Sequence, residues 1–210
     1  MRIGLESDFK DYYDKCLLGS NEAGVQVVYK RNKSDMPSKG KGLAILKRLG
    51  IPTLKLEATR EMFCFDEHNK LVVVYTDPNK HDGTGRVLMR LSEAQLTYPN
   101  SLSTEFHSDV HQINKLLYVG SRRFTVILNT EGGLDRGKVV SISEINSMYN
   151  YMIGIPIFSI DYIPTSNGLL AMTLNTVERL EDYGLDKILS PEEVVEELSK
   201  SILEYKLTEQ

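Results

Sequence analysis

Apolar positions recur along this chain at two periods, and the change from one to the other divides it. Residues 2–5 pattern as a short strand. Ser7 and Asp8 offer capping side chains, and residues 9–18 follow with helical spacing. After a turn over 19–24, Val25-Gln26-Val27-Val28-Tyr29 predicts a β-branched strand that ends in the polar, basic Lys30-Arg31-Asn32-Lys33. Residues 40–49 predict an amphipathic helix with Leu43, Leu46 and Leu49 on one face and Gly50 to end it. Residues 51–56 return to extended chain. The order β-α-β-α-β favours a parallel sheet with right-handed crossovers.

The middle of the chain changes character. Residues 62–65 and 71–75 predict two strands about the turn Asp66-Glu67-His68-Asn69, and residues 86–91 a third after a Gly-bearing loop. Short turns between strands suggest antiparallel pairing. The polar stretch 97–108, with Pro99, predicts a loop, and 109–118 a helix. Strands are expected at 123–128 and 138–142, and a helix at 143–152. A hairpin is expected from 155–163 and 169–174, with Thr165-Ser166-Asn167-Gly168 at its tip. Ser190-Pro191-Glu192-Glu193 then gives an N-cap, a Pro at the first helical position and a capping-box Glu. Val194, Val195, Leu198 and Ile202 supply that helix with one apolar face. The fold class is α/β (α+β): a parallel lobe over 1–58, then antiparallel lobes over 59–118 and 119–210.

Composition narrows this only slightly. With 210 residues, 41% hydrophobic and 26% charged, the chain can bury a substantial core. A net charge of -4 disfavours sequence-independent DNA binding, which needs a basic face. No apolar run approaches the roughly 20 residues that span a bilayer, and the N-terminus turns acidic at Glu6 and Asp8, unlike a signal peptide. A cytoplasmic protein is expected. Cys16 and Cys64 lack metal-ligand spacing and read as reduced, packed thiols. His107 and His111 have i, i+4 spacing but no third ligand, so a helix-surface pair is expected. No Gly-x-Ser-x-Gly elbow, Walker A loop or Gly-x-Gly-x-x-Gly fingerprint occurs.

Two places carry candidate chemistry. The hairpin sets Asp161 in one strand and Asn175 at the end of the next, with Thr173 projecting to the same side as Asn175. Hard oxygen ligands on adjacent strands suit Mg²⁺ bound to phosphates. Equally, Asp161 closes a polar pocket and Asn175 makes a turn. The second place is Asp8-Phe9-Lys10-Asp11-Tyr12-Tyr13-Asp14, just after the first strand. Open α/β sheets bind ligands at the C-terminal ends of their strands. Asp8, Asp11 and Tyr12 would there share a crevice with Arg31 and Asn32 and recognise an anionic or amide-bearing substrate. The alternative is a solvated helix start whose acids favour the helix dipole.

The order of elements resembles the ATP-grasp superfamily. The similarity runs through Leu46-Lys47-Arg48-Leu49-Gly50-Ile51-Pro52-Thr53, then Gly83-Thr84-Gly85, then the Ile160-Asp161 hairpin ending Leu174-Asn175-Thr176, with Tyr183-Gly184-Leu185 beyond. It spans most of the chain. The opening Ser7 to Asp14 also resembles small phage-encoded proteins of that type, which implies a host cytoplasm. The resemblance implies ATP between two α+β lobes and an ATP-dependent ligase that joins a carboxylate to an amine, so a small-molecule carboxylate or amine is the implied partner. It implies Mg²⁺ at Asp161 and Asn175, and phosphates under a loop with Lys80, Gly83, Thr84 and Gly85. It implies Arg122 or Arg123 at the γ-phosphate or an acyl phosphate.

Departures from the family pattern open an alternative. Thr173 stands where active members carry Glu or Asp, and the strand over 71–76 has no Lys at its end. Val177-Glu178-Arg179-Leu180 stands where the family often has a Pro-containing loop. The alternative is a non-catalytic protein on this scaffold that binds a nucleotide or a macromolecule, such as a protein partner.

Overall fold

A computed structural model describes residues 37–63, 70–80, 84–129, 138–145, 157–176 and 183–208. The parallel lobe expected at the start of the chain therefore lies mostly outside the described residues. So do the turn at 66–69 and most of the expected helix at 143–152.

Helix α1 (Lys39–Arg48) forms where expected and buries Leu43 and Leu46, whereas Leu49 follows its end and is exposed. Gly50, in the left-handed conformation at φ 74°, follows its end. Among the described residues, the extended ones after it (51–56) form no strand; Thr53 makes an isolated parallel bridge to Ala171, and Leu54 donates its N–H to the Ala171 carbonyl.

A four-stranded antiparallel sheet follows. It is built from β1 (Glu57–Ala58), β2 (Leu71–Tyr75), β3 (Arg86–Arg90) and β4 (Leu102–Glu105), in the order β1-β4-β2-β3. β2 and β3 match expectation. Residues 62 and 63, expected to begin a strand, follow a 3-10 turn and belong to no strand. The stretch expected as a loop holds β4, because its hydroxyls are satisfied in the interior. Thr59 Oγ1 lies 2.7 Å from Ser103 Oγ and donates to the Ser101 carbonyl at 2.8 Å. Helix α2 (Leu91–Thr97) covers this sheet with Leu91 and Ala94, against Val72, Val74 and Met62.

The larger sheet has five strands: β5 (Gln112–Val119), β6 (Arg122–Asn129), β7 (Lys138–Glu144), β8 (Ile157–Thr165) and β9 (Gly168–Asn175). Their order is β7-β6-β5-β8-β9, all antiparallel. The segment expected as a helix at 109–118 is thus mostly β5, and His107 and His111 precede a strand rather than sharing a helix. The lobe boundary expected at 118 falls inside this strand.

Alternation gives the sheet two buried faces. Tyr118, Phe158, Ile160 and Leu174 pack against Leu43 and Leu46 of α1, and the Tyr118 and Phe158 rings stack at 4.2 Å. Leu117, Val119, Phe124 and Ile157 pack on the other face against Leu185, Leu189, Val194 and Leu198. The last two belong to α3 (Pro191–Thr208), which begins with the expected capping box. The Glu193 N–H donates to Ser190 Oγ, and the Ser190 N–H to Glu193 Oε2. Among the described residues, no helix is long and apolar enough to cross a membrane.

One contact fixes α3 to the β5–β6 turn. The Ser121 N–H and hydroxyl both donate to Glu197 Oε2, at 3.0 and 2.5 Å. Burial pushes the Glu197 carboxyl up, but the bonds from Ser121 and the nearby Lys200 outweigh it and leave the pKa below the ordinary value. A depressed folded pKa means stability that is complete above the unfolded value and lost as pH falls through the folded one. Acid should therefore unfold the wild type along a slope starting near pH 4.5. Denaturant midpoints between pH 6 and 3 should show a shallower slope for Glu197→Gln. Equal slopes would show that Glu197 takes no part.

Candidate functional site at the edge of the five-stranded sheet

The register of the large sheet aligns four residues in one row, Val126 on β6, Lys115 on β5, Asp161 on β8 and Thr173 on β9. The next row holds Phe124, Leu117, Ser159 and Asn175. Directly opposed residues in antiparallel strands share a face, so polar groups collect at the β8–β9 side of this one.

Lys115 is their centre. Its side chain is only 5% exposed, and its ammonium lies 2.7 Å from Asp161 Oδ1 and donates to Ser159 Oγ at 2.8 Å. It also lies 5.2 Å from the centroid of the Tyr183 ring. Asn175 donates through Nδ2 to Asp161 Oδ2 at 3.0 Å and to Ser159 Oγ at 3.2 Å. Asp161, with 16% of its side chain exposed, is thus bonded at both oxygens.

A second ammonium comes from outside the sheet. Lys39, at the first turn of α1, donates to Thr173 Oγ1 at 2.8 Å and sits 5.2 Å from the centroid of the Tyr75 ring. Tyr75 ends β2, the strand whose sequence carries no Lys at that place. Lys39 thus brings a cation to the end of β2 from another element. Its backbone N–H donates to the Pro78 carbonyl, which joins the loop after β2 to the same spot. The two sheets meet at Lys39.

The other expected site residues fall as follows. Asp161 and Asn175 come together. Lys80 and Thr84 are exposed in the loop after β2, Gly85 is buried there, and Gly83 lies outside the described residues. The described residues on either side of Gly83 are tied together: Lys80 N–H donates to the Asp77 carbonyl, and Asp77 N–H to that of Gly85. A Cβ at Gly85 would sit 2.5 Å from the Asp77 oxygen. Arg122 and Arg123 do not join the cluster. Arg122 bonds Glu144 at 2.7 Å and Glu193 at 2.9 Å, which ties β6 to β7 and to the start of α3. The bonds from Arg122 hold the Glu144 carboxyl below its usual range. Arg123, next along the strand and so on the other face, lies 5.7 Å from the Tyr118 ring centroid. Asp8, Asp11, Tyr12, Arg31 and Asn32 lie outside the described residues.

Sequence patterns missed Lys39 and Lys115. The signal for Lys115 was present: read as a strand, residues 112–119 place one charge on the apolar face of Leu117 and Val119. Lys39 carries no such mark, because its partners come from β2 and β9.

The cluster does not fit a divalent ion. Mg²⁺ needs hard oxygen ligands in octahedral array. Here Asp161 is engaged by an ammonium and an amide N–H, Asn175 turns its N–H₂ side inward, and Thr173 receives Lys39. Among the described residues, no three His, Cys, Asp or Glu side chains converge.

No protein-family model matches the chain. No curated protein sequence matches it. Its fold has solved counterparts. The chain is similar to a D-cycloserine synthetase at 11% identity, over 95% of this chain and 99% of that one, with a TM-score of 0.56. It is similar to a RiPP-associated ATP-grasp ligase from Chryseobacterium gregarium, in complex with ADP and a leader and core peptide. That likeness has 9% identity, 97% and 96% coverage and a TM-score of 0.56. The ATP-grasp ligase PsnB, complexed with a phosphomimetic variant of its minimal precursor, Mg and ADP, gives 11%, 96% and 78%, and 0.55. At such identities the likeness defines the fold. The chain has an ATP-grasp-like fold of mixed α+β type, with antiparallel sheets and few helices among the described residues.

Proposed function

We propose that this chain binds ATP between its two sheets and belongs functionally with the ATP-dependent carboxylate–amine ligases. Such enzymes join a carboxylate to an amine while ATP is cleaved to ADP and phosphate. The observation that carries this is the pair of ammonium groups, Lys115 and Lys39, set over adjacent positions where the sheets meet. Among the described residues two ammonium groups stand at these adjacent positions against one carboxylate, a balance that favours an anion, and the fold is shared with a ligase solved with ADP. Asp161 and Asn175 then orient Lys115, and the loop over 77–85 is the candidate cover for phosphates. The substrate crevice over Asp8, Asp11, Tyr12, Arg31 and Asn32, the lobe over 1–58 and a phage origin remain proposals resting on sequence. Arg122, held by two carboxylates, serves this reading as a brace between β6, β7 and α3.

A second reading is favoured by Thr173 and by the engagement of Asp161 with Lys115: the scaffold holds a nucleotide and catalyses no ligation. Calorimetry and thermal shift separate the two. ATP at 100 times its dissociation constant should stabilise the fold by about 2.7 kcal/mol. ADP release stimulated by amino acids or peptides would establish the ligase. Binding without release would leave the second reading, and no binding at millimolar ATP would end both.

A further inference from the structure

We infer that the Lys115 ammonium fills the place beside Asp161 and Asn175 that a divalent cation would take, so that polyphosphate binds here without metal. The inference rests on the proposed site but not on its nucleotide identity.

The argument begins with charge. Lys115 and Lys39 bring two positive charges, and Asp161 brings one negative charge. With its ammonium at 2.7 Å, Asp161 is neutralised within the protein. A divalent ion entering there must displace Lys115 from its carboxylate, from Ser159 Oγ at 2.8 Å and from its place near the Tyr183 ring. The displaced ammonium is 5% exposed and flanked on its own face of β5 by Ile113 and Leu117, so a water-filled retreat is remote. The ion would then face two lysines across one carboxylate. A terminal phosphate meets the opposite field. Thr173 takes one of the three N–H bonds that Lys39 Nζ can give, and the buried Lys115 adds a second positive charge beside Asp161, the register partner of Thr173.

The donor set agrees. Asn175 gives N–H bonds to Asp161 and Ser159, as suits an amide that anchors a carboxylate to a lysine. Thr173, a neutral side chain in the row, removes the second carboxylate that a tightly held hard cation wants and gives Lys39 an acceptor instead. Thr173 thus stands as an acceptor for the Lys39 ammonium where a metal ligand would be wanted.

The test uses the full chain and two probes. Mn²⁺ is titrated without nucleotide and followed by electron paramagnetic resonance, with Asp161→Asn as control. Expected is no bound Mn²⁺ that depends on Asp161. A wild-type Mn²⁺ site lost in Asp161→Asn would overturn the inference. Tripolyphosphate and ATP are then titrated calorimetrically in EDTA and again with excess MgCl₂. Tripolyphosphate should bind in EDTA with affinity within about threefold of that with Mg²⁺. Lys39→Met, which spares the buried pair, should weaken it about tenfold. Binding that requires Mg²⁺, or no tripolyphosphate binding in either buffer, would overturn the inference. ATP keeps the two proposals apart. Tripolyphosphate binding in EDTA without ATP binding would end the nucleotide reading and leave the metal-free site. ATP binding only with Mg²⁺ would do the reverse.

Discussion

Gly120→Ala should unfold much of the protein's stability margin, by about 2–5 kcal/mol, although it adds a single methyl group. Gly120 opens the two-residue turn between β5 and β6, at φ 58°. An L-residue in the left-handed region costs about 1–2 kcal/mol. A Cβ there would also stand 2.6 Å from the Glu197 backbone oxygen and 2.8 Å from Glu197 Cβ. These atoms are fixed by the backbone of a helix that cannot swing aside alone, so α3 must shift, and overpacking of this kind costs about 1–3 kcal/mol. Moving α3 also loosens the bonds from Ser121 to Glu197 and the packing of Val194 and Leu198. Chemical denaturation measures the loss. Ser121→Ala is the reference, because it keeps the turn and removes only the hydroxyl bond, for about 1 kcal/mol. A Gly120→Ala variant as stable as wild type would mean that α3 does not dock on this turn.

Much of this fold was legible because its strongest signals are local. The tip at Thr165-Ser166-Asn167-Gly168 fixes the β8–β9 hairpin, and alternation then forces Asp161 and Asn175 onto one face. The capping box at Ser190 and Glu193 needs only four residues to be recognised. β5 was misread for a physical reason. It is covered on both faces, by α1 and by α3, so its apolar residues do not alternate with polar ones. Ile113, Leu116 and Leu117 then mimic helical spacing. β4 failed in the opposite way: Ser103 and Thr104 are buried but polar, and only their distant partners show that they belong inside. The candidate site inherits both errors. Its carboxylate and amide were visible in the hairpin, whereas Lys115 was hidden in the misread strand. Lys39 reaches Thr173 across 134 positions of sequence, a contact that no local pattern carries.

Lys115→Met should be among the most destabilising substitutions in the chain. The side chain is 5% exposed, and methionine fills its volume but leaves Asp161 charged with, among the described residues, the Asn175 N–H as its donor. Removing one partner of a buried ion pair costs about 3–5 kcal/mol, chiefly through the uncompensated charge left behind. Asp161 retains 16% exposure, and water at that opening sets the expectation near 3 kcal/mol. For a chain of this size that lowers the melting temperature by about 6–12 °C. The second substitution decides the mechanism. Lys115→Met with Asp161→Leu removes both charges, so most of the lost stability should return, because apolar replacements of a buried pair are often neutral or better. A simple packing role for the lysine stem predicts additive losses instead. The double-mutant cycle reads the coupling directly, since the two residues touch. Polyphosphate binding supplies the functional half of the same experiment. The rescued double variant should fold and yet bind tripolyphosphate more weakly than wild type, because stability returns without the ammonium. A rescued variant that binds as wild type does would show that Lys115 serves the sheet alone and that the anion is held elsewhere.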